Sequence, residues 1–103
     1  MLVRFFFSAV DPADRAEIAR IFVEDVKPAF EAQEGCLSVE LLVSADQNVG
    51  GLLEGVLVSR WRADIDVETS LASRTIAESL VRVRQLLRVE PVIHNYVTAG
   101  DGG

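Results

Sequence analysis

Four short β-prone runs, two apolar stripes of helical spacing between them, and a turn-rich link joining the middle two runs predict an α+β chain in the order β-α-β-β-α-β. The first run, Leu2–Val10 (LVRFFFSAV), is nearly all apolar or β-prone and too short for a self-standing helix, so it reads as a strand. Asp11-Pro12 then begins a helix, with Asp11 as N-cap and Pro12 at the first helical position, where its missing N–H is no loss. Ile18, Phe22, Val26 and Phe30 recur every four residues and mark a helix face lying on a core. Pro28 removes an amide donor late in that stripe, which predicts a kink or the start of the last turn. Gly35 is a natural left-handed stop.

Cys36–Ser44 (CLSVELLVS) predicts the second strand, the turn formers of Asp46–Gly51 a hairpin, and Leu52–Trp61 (LLEGVLVSRW) the third strand, in which Gly55 signals a bulge or a close backbone approach. Asp64 is placed to cap a short helix ending near Leu71. Ile76, Leu80, Val83 and Leu87 form the second long stripe, and Pro91 precedes a last strand, Val92–Thr98 (VIHNYVT). This order is the split β-α-β arrangement of a ferredoxin-like domain, an antiparallel sheet with helices on one face.

A sheet with one wet face alternates apolar and polar residues. Here Phe5, Phe6 and Phe7 are consecutive, as are Leu41, Leu42 and Val43, and Val56, Leu57 and Val58. Two helices cover only one face, so the other is expected to pack on a second copy, making an obligate homodimer. The domain spans residues 1–99, and Gly100-Asp101-Gly102-Gly103 reads as a flexible C-terminal tail.

The chain has 103 residues, which is one domain, and half of them are hydrophobic, which excludes disorder. Ten basic against sixteen acidic side chains leave a net charge of −6, which repels phosphate backbones and argues against a nucleic-acid partner. A membrane partner is not expected, since every stretch long enough to span carries charge, and Asp11 and Asp14 stand where a signal-peptide cleavage site belongs. Cys36 is the single cysteine and has no partner for an internal disulfide, which fits a reducing cytoplasm. One histidine and one cysteine make no recognisable metal-ligand set, and Gly50-Gly51 opens no helix and so forms no phosphate loop. Neither a metal nor another cofactor is therefore expected. A small enzyme, a binding module or an assembly subunit remains.

Three segments carry a family resemblance. Glu34-Gly35-Cys36-Leu37-Ser38-Val39-Glu40-Leu41-Leu42 at the entry of the second strand, Ser59-Arg60-Trp61 before a charged helix start, and the closing strand with Tyr96 are together similar to the antibiotic biosynthesis monooxygenase family, over Leu2 to Val97. The resemblance implies a dimeric α+β barrel with an apolar pocket between helices and sheet in each subunit. It also implies one of three activities: cofactor-independent oxygenation of polycyclic phenols, haem degradation, or small-molecule isomerisation. The haem-degrading pattern needs an Asn on the first strand and a His about ten residues past the Trp; here the first strand has no Asn, position 71 is Leu, and His94 lies on the last strand. The phenol-oxygenase pattern places an Asn four residues before the Trp and a Tyr six after it, where this chain has Leu57 and Val67. Its helical Arg has candidate counterparts in Arg74, Arg82 and Arg84.

The candidate catalytic residues are accordingly Trp61, His94 and Arg74, with Ser59, Tyr96 and Phe22 as candidate substrate contacts. Trp61 reads equally as the stacking wall of an aromatic pocket or as a large core residue. His94 reads first as a structural or interface histidine, and second as the one side chain whose ordinary pKa suits proton abstraction near neutrality. Arg74 stands at the break before the last helical stripe, whereas Arg82, Arg84 and Arg88 read as solvated. The charges within strands, Arg4, Glu40, Glu54 and Arg60, are candidates for ion pairs. Cys36 reads as a small buried hydrophobe.

The leading expectation is a cofactor-free monooxygenase acting on an electron-rich aromatic or quinol-like small molecule. Two alternatives stand beside it: a non-catalytic, small-molecule-binding or stress-associated dimeric barrel, and an isomerase of a small oxo-metabolite using His94.

Overall fold

A computed structural model of the chain describes residues 1–71 and 73–99; the tail at 100–103 lies outside the described residues. Four strands, β1 (Leu2–Val10), β2 (Cys36–Val43), β3 (Leu53–Trp61) and β4 (Val92–Val97), form one sheet in the order β2-β3-β1-β4, with every neighbouring pair antiparallel. Between β1 and β2 run α1 (Arg15–Ile21) and α2 (Lys27–Glu31), and between β3 and β4 run α3 (Asp64–Leu71), α4 (Arg74–Ser79) and α5 (Val81–Leu86). The chain is thus the α+β, ferredoxin-like fold that the element order predicts.

The local signals act as their chemistry dictates. The Asp11 carboxylate accepts the Ala13 N–H at 2.9 Å and opens a short 3-10 turn, Pro12–Asp14, that leads into α1. Between α1 and α2 the helix widens over Phe22–Val26, and the Lys27 N–H reaches the Phe22 carbonyl five residues back. That widening re-phases the hydrogen bonds so that Pro28 begins the last segment without breaking the helix. Gly35 stops the helix at φ +86°. In the hairpin, the Asn48 side-chain oxygen accepts N–H bonds from Gly50 at 2.9 Å and Leu52 at 3.0 Å.

Two expectations need correction. Gly55 sits in regular register opposite Ser8 and Val43, and a Cβ there would meet the Leu42 carbonyl at an ordinary 3.7 Å, so it marks neither a bulge nor a close approach; the bulge falls instead at Leu37, between Cys36 and Ser38. The second long stripe is not one helix: it breaks at Leu80 (φ −94°, ψ −4°), where the buried Ser79 hydroxyl donates to the Ile76 carbonyl at 2.7 Å. A hydroxyl bonding back to the preceding turn competes with the helical ladder.

Register fixes the two faces. Leu2, Arg4, Phe6, Ser8 and Val10 pair with Trp61, Ser59, Leu57, Gly55 and Leu53, and this inner face carries the helices. The outer face holds Phe5, Phe7, Val56 and Val58 on the central strands, Leu42 on β2, and Val92, His94 and Tyr96 on β4. Phe7, Leu42, Val92 and Tyr96 there are exposed. Both faces of the sheet are therefore apolar, as the runs of consecutive hydrophobics require.

Candidate functional site

Two adjoining cavities lie between the inner face and the helices. The first, about 50 Å³, is wholly apolar at its helix side, with Ile18, Phe22, Val26, Val83 and Leu87, and its floor includes Ser8 and Gly55. A facing pair so short of side-chain volume leaves the space open. The second, about 70 Å³, is walled by Trp61, Phe30, Val67, Ile76 and Ile93 and reached by Ser59, Arg4 and Arg84. Phe6, Leu57 and Leu80 line both and form the partition between them. A dry cavity of about 150 Å³ takes up benzene. Neither compartment as it stands admits an aromatic ring, so a ring enters by moving this partition or by using the mouth.

Trp61 is 2 % exposed and tilts against Phe30 with centroids 6.2 Å apart. Its indole N–H donates to the Ser59 hydroxyl at 2.9 Å. That bond occupies the indole donor, so the free donor that this pair presents is the Ser59 O–H. Phe22 lines the first cavity and not the second. Trp61, Ser59 and Phe22 thus come together around the adjoining compartments.

The other three candidates do not join them. His94 and Tyr96 project from the outer face, opposite Phe5 and Val3 in register, into an aromatic cluster: Phe5 and Tyr96 meet edge-on at 5.4 Å, and Phe7 and His94 at 5.9 Å. The sheet itself separates them from Trp61 within one subunit. Arg74 is exposed, donates to Glu78 at 2.8 Å, and lines neither cavity.

Two arginines outside the candidate catalytic set stand at the second cavity: Arg4, and Arg84, one of the three possible counterparts of the family's helical arginine. Arg4 is a candidate for a cross-strand ion pair by sequence, but Glu40 is taken by Arg60 at 3.2 Å on the outer face and Glu54 by the Asn48 amide at 3.3 Å. Arg4 faces inward, and burial lowers the pKa of its guanidinium because desolvation disfavours the charged form. Arg84 lies over the Phe6 ring, 5.8 Å from its centroid. The signal that could have found Arg4 is parity, since positions 2, 4, 6, 8 and 10 share one face. Arg82, by contrast, is tied to Asp25 at 2.9 Å and to Glu17. Burial pushes the Cys36 thiol up, which suits an inert side chain rather than a nucleophile. Among the described residues no group of three His, Cys, Asp or Glu side chains is placed to hold a metal, and no helix is long and apolar enough to cross a membrane.

Residues 1–79 match the family model described as antibiotic biosynthesis monooxygenase. Among solved structures, Rv0793 from Mycobacterium tuberculosis is similar at 22 % identity, covering 99 % of this chain and 98 % of its own, with a TM-score of 0.73. A Nitrosomonas europaea protein assigned to antibiotic biosynthesis monooxygenases aligns at 13 % identity over 97 % of this chain and 100 % of its own, TM-score 0.76. One from Bordetella bronchiseptica, assigned likewise, aligns at 18 % over 95 % and 96 %, TM-score 0.75. No curated protein matches the chain. The chain belongs to the antibiotic biosynthesis monooxygenase family.

Proposed function

We propose that this member of the antibiotic biosynthesis monooxygenase family oxygenates an electron-rich aromatic or quinol-like small molecule, without a cofactor, in the cavity walled by Trp61. The observation that carries the reading is the composition of that cavity: apolar walls, one buried hydroxyl donor at Ser59, two cations, and, among the described residues, no carboxylate or histidine in its lining. Among the described residues such a site has no general base. It favours ionisation of the substrate by stabilising the anion, through the cations and the Ser59 O–H, and it keeps water away from the reacting carbon. The ionised substrate is the reductant and dioxygen the oxidant: in an anthrone a ring CH₂ becomes C=O, in a quinol a ring C–H becomes C–OH as the ring is oxidised to the quinone, and in both one oxygen atom is retained and the other leaves as water. His94, on the far side of the sheet, takes no part within its own subunit, which weighs against the isomerase that uses it.

The test is oxygen uptake by metal-free protein against anthrones, hydroquinones and catechols. Uptake should survive chelators and fall about fivefold in Trp61→Phe, because the Ser59 hydroxyl loses the indole that positions it and with that one hydrogen bond to the substrate anion, worth about 1 kcal/mol. His94→Ala should keep full activity. No uptake across the panel, with a tight ligand co-purifying unchanged, would instead make this a binding protein.

The same proposal includes a second copy. The outer face presents Phe7, Leu42, Val92 and Tyr96, an exposed apolar surface of the kind that pairs between copies. Sedimentation should give a dimer at micromolar concentration, and Phe7→Glu should dissociate it. A stable wild-type monomer would sink this part of the reading.

A further inference from the structure

Among the described residues, every arginine but two has an oxygen partner. Arg20 pairs with Glu17 and Glu24, Arg60 with Glu40, Arg62 with Glu34 and Asp66, Arg74 with Glu78, Arg82 with Glu17 and Asp25, Arg88 with Asp11, and Arg15 donates to the Ser44 carbonyl. Among the described residues, Arg4 and Arg84 have neither a carboxylate nor a hydrogen-bond acceptor, and both line the Trp61 cavity. This is a chain of net charge −6, in which acidic partners outnumber basic groups sixteen to ten. A guanidinium half-buried on an apolar face, as Arg4 is, is costly without a counter-ion, and the exposed Arg84 beside the same cavity adds a second positive charge rather than a negative one. Among the described residues no side chain lining the cavity supplies that counter-ion.

We propose that Arg4 and Arg84 form an anion subsite at the mouth of the Trp61 cavity, which takes the carboxylate of an aromatic acid. A planar guanidinium fits a carboxylate with two parallel N–H···O bonds, a match that a phenolate's single oxygen does not make. Arg84 is held over the Phe6 ring and is exposed, so it marks the open side of the cavity, while Arg4 lies deeper beside Ser59 in the sheet register. The acid's ring lies toward Trp61 and its carboxylate toward the two arginines, within reach of the free Ser59 O–H. This inference rests on the reading that the Trp61 cavity is the substrate site, and it names the ionised group that the substrate carries there.

The test compares phenylacetate with its neutral isostere phenylacetamide by calorimetric titration of the whole chain. Trp61 is the only tryptophan, so its fluorescence reports the same site independently. Phenylacetate should bind at least about tenfold more tightly than the amide, and the preference should shrink as salt rises. Arg4→Met keeps the apolar stem and removes the charge, so it should erase the preference without unfolding the domain; Arg84→Gln should reduce it. Equal affinity for acid and amide, a preference that survives both substitutions, or tighter binding of 4-nitrophenolate than of phenylacetate would overturn the subsite. Failure of the oxygenase reading looks different: no oxygen uptake with any substrate, while the Arg4-dependent preference for phenylacetate persists.

Discussion

Truncating Trp61 to alanine is expected to lower the unfolding free energy by about 3–5 kcal/mol, the range seen when a large aromatic side chain is removed from a core. Trp61 closes the end of β3, pairs in register with Leu2 on one side and Cys36 on the other, and rests on Phe30, so β1, β2 and α2 all lose contact at once. Ser59, 2 % exposed, also loses its only donor partner and is left with an unmet hydroxyl in the core. For a domain of this size the melting temperature should fall on the order of 20 °C, against a total stability of roughly 5–15 kcal/mol. Thermal unfolding followed by far-UV circular dichroism checks this. A loss under about 1.5 kcal/mol would mean that the cavity collapses around the gap and that Trp61 is not a pillar of the core. Trp61→Phe, which refills most of the volume, should be far milder, and that is why it serves for the activity comparison.

The second large effect is expected at Gly35. Its φ of +86° costs an L side chain roughly 1–2 kcal/mol, and a Cβ there would stand 2.2 Å from Cγ of Asp66. The Cβ of Asp66 would also stand 2.6 Å away, so no rotamer relieves the collision: α3 itself would have to shift, straining the Asp66 ion pair with Arg62 at 3.3 Å. Overpacking of this kind adds roughly 1–3 kcal/mol, so Gly35→Ala should cost on the order of 3 kcal/mol in urea unfolding. The double variant Gly35→Ala with Asp66→Gly separates the two causes, because it relieves the collision and leaves the backbone strain. If the single variant loses less than about 1 kcal/mol, neither cause is acting. Asp66 has its own cost in this position, since its Oδ2 is buried with no hydrogen-bond partner among the described residues. Gly35 is the point where the α2 exit, β2 and the start of α3 meet, and its carbonyl also accepts the Arg62 N–H at 2.8 Å.

Much of the fold is written in short-range chemistry, and that part is legible in the sequence. Asp11, Pro12, Gly35 and Asn48 each do locally what their side chains or backbones permit, and the stripe from Ile18 to Phe30 needs only the helical period. The candidate site depends on long-range register. Phe5-Phe6-Phe7 hides parity, because an unbroken apolar run gives no sign of which residue faces the helices. Once Leu2 is paired with Trp61 and Phe5 with His94, the tryptophan and the histidine fall on opposite faces. Nothing within either strand could say so. Arg4 misleads for a related reason: a charge inside a strand suggests an ion pair, and the available carboxylates, Glu40 and Glu54, lie on the other side of the sheet. The break at Leu80 is hidden because Ile76, Leu80, Val83 and Leu87 hold their apolar spacing across it, while the cause lies in a single hydroxyl at Ser79.

The shared wall of Phe6, Leu57 and Leu80 couples the two compartments as if they were one volume with a movable divider. Leu80 sits where α4 gives way to α5, so its side chain is carried by a joint rather than by the middle of a rigid rod. A guest that displaces it to make room on the Trp61 side shrinks the space beside Phe22 by the same motion. Two small guests would therefore compete without touching, whereas a single elongated one that spans the divider meets no such penalty.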